Sequence, residues 1–164
     1  MKIRIISNKK QFKNLLDEDK LNDDKYVHFS FLPAYGTIFA LIHRCRSIKF
    51  IHLSYSSCER LSKKANRLLK KNSIEILRGL EVWGAHMDSD GYFEIDLSKI
   101  SELQNNYDEN GTVRFNEVTE AIRNEFGFEK DLTDYVIRSE IFPHLQKEAF
   151  ENLKQSLTEV ATGE

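Results

Sequence analysis

The chain has 164 residues, with 24 lysines and arginines against 26 aspartates and glutamates. Hydrophobic residues make up 40% and charged residues 30%, an ordinary globular balance rather than that of a disordered chain. A formal net charge of -2 and a pI of about 6.2 exclude a global field that would draw the protein to nucleic acid or an anionic membrane.

The length suits one α/β domain over residues 1–164, with a subdivision into an α/β half (1–84) and a mainly helical half (85–164). Two cysteines, Cys45 and Cys58, make no disulfide framework and fit a reducing compartment. The longest unbroken apolar run, Ile38–Ile42, is far below the roughly 20 residues that span a bilayer. A soluble cytoplasmic protein with no membrane segment is expected.

Lys2–Ile6 alternates and predicts a first strand. Ser7 or Asn8 caps a helix carrying Phe12, Leu15 and Leu16, and the charged piece Asp17–Lys25 forms a loop. Tyr26–Leu32 is a second strand, with Val27, Phe29 and Phe31 on one face and His28 and Ser30 on the other. Pro33 and Gly36 break it, and Thr37–Cys45, apolar nearly all round, reads as a buried helix or another strand, with helix preferred because it supplies the crossover to Lys49–Tyr55. Lys49–Tyr55 is short and rich in aromatic and β-branched residues, as a buried strand is.

The next turn reads as a capping box, with Ser56 as N-cap and Glu59 at the third helical position. From there one helix runs to Asn72, with Cys58, Leu61, Ala65, Leu68 and Leu69 as its apolar stripe. Ile74–Leu77 is the following strand, and the sequence of elements predicts parallel crossovers. Asp88–Gly91 is a turn, Tyr92–Leu97 alternates, and Ser98 caps another helix. The last third is helical over Phe115–Phe126, Leu132–Ile137 and His144–Val160. The fold class is therefore α/β: a mostly parallel sheet with flanking helices, followed by a more helical C-terminal third.

Several constellations carry chemistry. Open α/β sheets bind ligands beyond the carboxyl ends of their strands. Two turns meet there, bringing Tyr35 and Thr37 together with Ser54, Ser56, Ser57 and Arg60. Unpaired N–H groups at a helix start attract a nucleotide or phosphate. The plainer reading is a capped helix, because Glu59 already sits where an anion would and no glycine-rich loop is present.

Asn106–Glu117 (NYDENGTVRFNE) resembles the calcium loop of the EF-hand family through Asp108, Asn110, Gly111 and Glu117, with Val113 at the apolar position. The resemblance implies a metal held by Asn106, Asp108, Asn110, Thr112 and Glu117. Asn106 departs from the aspartate of the motif, and Arg114 adds a cation. The plainer reading is a tight Asn-Gly turn. The acidic end of Trp83–Ile95, with Asp88, Asp90 and Gly91, resembles the motif of LAGLIDADG homing endonucleases, but the acidic balance of the chain does not suit DNA.

His28 with Ser30, and His52 with Ser54, start a nucleophile arrangement whose third, acidic member is missing. Lys63, Lys64, Arg67, Lys70 and Lys71 form a basic face with no aromatics interleaved, a pattern usual for a solvated helix. No catalytic set is complete and no cofactor is indicated. The expected function is a small binding or regulatory module with a protein partner or a self-association edge near Tyr135, Phe142 and Phe150.

Overall fold

The computed structural model describes residues 1–80, 87–100, 102, 115–141, 151–152 and 155. It divides into two compact units, Met1–Ile95 and Asp96–Glu164.

The first unit is built on a five-stranded sheet. Its parallel strands are β1 (Lys2–Ile6), β2 (Tyr26–Phe29), β3 (Phe50–Leu53) and β4 (Glu75–Arg78), and β5 (Tyr92–Glu94) joins antiparallel to β1. The strand order is β4-β3-β2-β1-β5. The connecting helices are α1 (Lys9–Asp17), α2 (Tyr35–Arg44), α3 (Tyr55–Arg60) and α4 (Lys63–Lys71). Each crossover moves one strand in the same direction, so a constant crossover hand puts the helices on one face. The core agrees: Ile6, Val27, Phe29, Ile51 and Leu53 from the strands cluster with Phe12, Ile38, Leu41, Ala65 and Leu69 from the helices. Each such fully buried aliphatic or aromatic side chain contributes about 1.5–3 kcal/mol.

The register places Val27 beside Ile51 and His28 beside His52, so the second and third strands are adjacent and co-directional as expected. Strand β2 is shorter than expected. Ser30 still donates its N–H to Ile6 O at 2.9 Å, but the ladder goes no further.

The helix expected from Ser56 to Asn72 is two helices. Ser54, not Ser56, caps α3, its hydroxyl accepting from Ser57 N at 3.2 Å, so the Ser56–Glu59 capping box does not form. Leu61 then turns to an extended conformation (φ -61, ψ 131), and Ser62 caps α4 by accepting from Ala65 N at 3.1 Å. Swinging out of the helix lets Leu61 enter the core, where it is buried. Asn72 ends α4, its N–H bonding back to Leu68 O and Leu69 O.

The loop 18–25 is anchored rather than merely charged. Leu21 is buried, and Asp24 pairs with Arg4 in the middle of β1, Nε to Oδ2 at 2.8 Å. Arg4 also donates to Asp90 O at 3.1 Å, to Lys20 O at 3.0 Å and to the Tyr92 hydroxyl. Tyr92 in turn donates to Asp24 Oδ1 at 2.6 Å. Burial, helped by the Asp24 carboxylate, pushes the Tyr92 phenol up to about 12. The Cys45 thiol, directed at Leu21 O and Asp24 O, is pushed up to about 11 by burial and then by Asp24. One ionic cluster thus ties β1, the loop before β2 and the turn into β5.

In the second unit, α5 (Phe115–Phe126) and α6 (Lys130–Val136) are separated by Gly127, whose φ of +66 suits glycine. A π-helical turn, Ile137–Ile141, continues α6. Ile122, Phe128, Leu132, Tyr135, Val136 and Ile137 are buried. Residues 97–100 are helical, and Asp96 rather than Ser98 is the capping group, accepting from Ser98 N at 3.0 Å.

Candidate functional site

Because β2 and β3 are parallel neighbours, the turns after them open on the same sheet edge. Tyr35 and Thr37 start α2 there, and Ser54–Arg60 forms the turn and α3. Ser54 is committed to its cap, Ser57 is half-buried, and Ser56 and Arg60 are exposed. Tyr35 is half-buried against the core. Lys64 of α4 sits over its ring, with Nζ 4.4 Å from the centroid.

The two strand histidines meet each other instead of the serines. His28 Nδ1 lies 2.9 Å from His52 Nδ1, and both rings are buried. One nitrogen must carry the proton and the other accept it. Ser30 is exposed, and Ser54 is the α3 cap, so neither His–Ser pair forms a nucleophile.

Of the calcium-loop set, Asn106, Asp108, Asn110 and Thr112 lie outside the described residues, and Glu117 falls within α5. Asp88 is engaged in its own turn, Oδ1 accepting from Asp90 N and Tyr92 N, both at 2.9 Å. Those bonds, led by the one from Tyr92, hold its carboxyl below the usual range. Trp83 and His86 lie outside the described residues, as do Phe142 and Phe150, whereas Tyr135 is buried. Among the described residues no group of three or more His, Cys, Asp or Glu could hold a metal ion. No helix among them is long and apolar enough to cross a membrane.

The outer face of α2 carries an arrangement that the sequence reading missed, although its i, i+4 spacing was a signal for it. Tyr35, Phe39 and His43 recur every four residues and form a continuous ladder. Tyr35 and Phe39 have centroids 6.1 Å apart at 37°, and Phe39 stacks on His43 at 4.0 Å and 29°. Phe39 is 43% exposed and His43 is exposed, whereas Tyr35 is half-buried and packs against the core, so the outer part of the ladder is Phe39 and His43. His43 Nδ1 lies 3.1 Å from Phe39 O; a carbonyl only accepts, so Nδ1 carries the hydrogen.

Helix α4 packs directly beside α2. Its sequence, KKANRLLKK, holds five cations and no acid. Ala65 and Leu69 take the core side, while Lys63, Lys64, Arg67, Lys70 and Lys71 are exposed. Among the described residues none of the five is in an ion pair. Within α4 no aromatic is interleaved with the basic face, as expected. The aromatics come from another helix, and Lys64 over Tyr35 joins the two rows.

At the far end of the same pair of helices lies a cavity of about 380 Å³. The exposed His43, Arg46 and Asn72 line it, together with half-buried Ile42 and the buried Cys45, Ile48 and Ile74. It sits where β3 and β4 begin, the edge opposite the expected cleft. His43 belongs to both the ladder and the cavity.

Comparison with known proteins gives one assignment. A family model described as the N-terminal domain of a family of unknown function, DUF1699, matches residues 2–91. That stretch is more than half of the chain and holds β1–β4 and all four helices of the first unit, so the chain belongs to this family. No curated protein and no solved structure matches it.

Proposed function

We propose that this member of the DUF1699 family is a binding module whose anionic partner docks on the outer face of α2 and α4. The observation that carries the reading is the ladder Tyr35–Phe39–His43 lying beside five exposed cations that no acid of α4 offsets. A solvated helix needs no exposed Phe39 stacked on an exposed His43 next to its charges. A docking surface does, because flat rings give contact area at low entropic cost and cations give the long-range attraction. The net charge of -2 does not oppose this, since the field that a partner meets at short range is local.

Retention on a heparin column tests the surface. The wild-type protein should bind at low salt. Reversal of Lys64, Arg67 and Lys71 to glutamate should move it to the flow-through. The same charge change at Lys9, Lys10 and Lys13, exposed on α1, should leave retention nearly as before. Equal loss in both triple variants, or no retention of the wild type, refutes the docking face.

A further inference from the structure

Resting on that docking face, we infer that its partner is single-stranded nucleic acid, with one unpaired base seated in the cavity between the ends of α2 and α4. Two independent features of the surface point to this chemistry.

The first is the match between rings and cations. Tyr35 to His43 spans about 12 Å of helix, and Lys64 to Lys71 about 10 Å on the neighbouring helix. A row of flat faces with a row of cations at its side is what a single strand needs, bases on one side and phosphates on the other. A duplex hides its base faces and an acidic peptide has none, so neither uses the ladder.

The second is the cavity. It lies at the C-terminal ends of two helices, whose partial negative charge attracts no phosphate, so the anion is left to Arg46, Lys70 and Lys71. Its lining is mixed, apolar at Ile42, Ile48 and Ile74 and polar at His43, Arg46 and Asn72, as a base with an apolar face and polar edges requires, and its volume of about 380 Å³ is ample for a nucleobase. His43, stacked on Phe39, borders this cavity and continues the ladder into it. Arg46 and Asn72 line the cavity and are exposed, and Lys70 and Lys71 precede Asn72 in the last turn of α4. Phosphates on those cations leave the base to the cavity.

The test is fluorescence anisotropy of a labelled twelve-nucleotide single strand of mixed sequence at about 50 mM salt, where phosphate contacts are strong. Competitors are the matching duplex, heparin and polyglutamate. The single strand should bind and should displace better than the duplex. Phe39→Ala and His43→Ala should each weaken binding about fivefold or more, the lower end of what base–aromatic stacking supplies, with an unchanged salt slope. Phe39→Trp, which keeps a stacking face, should restore it. Lys64→Glu with Lys71→Glu should weaken binding and flatten the salt slope. Asn72→Trp, at the exposed edge of the cavity, should weaken binding as the aromatic truncations do.

Duplex bound as tightly as single strand overturns the inference, as does polyglutamate competing equally. Unchanged binding in both aromatic truncations also overturns it, while heparin retention lost on α4 reversal keeps the docking face. Loss of binding to every polyanion sinks both. Should Phe39→Ala fail to fold, the Phe39→Trp and His43→Ala proteins decide.

Discussion

Replacing Arg4 by methionine should destabilise the first unit severely, although the stem of the side chain is kept. Arg4 and Asp24 are only 7% and 8% exposed, and Nε lies 2.8 Å from Oδ2. At that separation and an effective dielectric of about 20, the attraction is about 6 kcal/mol before desolvation is set against it. Removing one partner leaves the other charge buried, which costs about 3–5 kcal/mol. Methionine also abandons Lys20 O and Asp90 O, both of which Arg4 now satisfies.

For a chain of this size that loss corresponds to a fall in Tm of roughly 6–20 °C, read by calorimetry. Asp24→Asn should lose a similar amount. The double variant should be less damaged than the two losses combined, by about 2 kcal/mol or more, because no unpaired charge remains. If each single change costs under about 1 kcal/mol, as for an exposed pair, or if the two losses simply add, the reasoning that this cluster anchors the loop is wrong.

Two further outcomes follow from the caps and from pH. Ser62→Ala and Ser54→Ala should each cost about 1 kcal/mol in chemical denaturation, whereas Ser56→Ala should be nearly neutral; equal losses at Ser54 and Ser56 would contradict the observed cap. The Tyr92 phenol is held protonated in the folded state, up to about 12 against 10.0 for the free group. The stability it brings is therefore complete below pH 10 and is lost as pH rises through 12. Cys45 acts in the same direction between 9.0 and about 11. Tyr92→Phe, which cannot ionise, should lose less Tm than the wild type between pH 10 and 12; parallel melting curves would refute the assignment.

Much of this molecule was legible in the amino-acid order because local patterns report local structure. Most strand and helix types from Lys2 to Leu77 follow from apolar spacing, whereas α2, apolar nearly all round, is read as a helix only because a parallel pair of strands needs a crossover between them. The errors were at boundaries. Ser54, Ser56 and Ser62 are all able caps, and only the burial of Leu61 selects a break after α3. The two histidines were assigned to adjacent strands correctly but to the wrong partners. The strand register sets His28 beside His52, within reach of each other's ring.

By itself the sequence determined the fold class, the amphipathic faces of single helices and the cationic composition of α4. It could not determine which element lies beside which. The aromatic row of α2 and the cations of α4 stand some 20 residues apart in the chain. They become one surface only because each crossover steps one strand further and both helices bury their apolar sides on the same face of the sheet. The Arg4–Asp24–Tyr92 cluster has the same origin, since β5 returns from 88 residues away to pair with β1. Periodicity reports the face of one element, whereas neighbours across elements are chosen by the burial of the whole core.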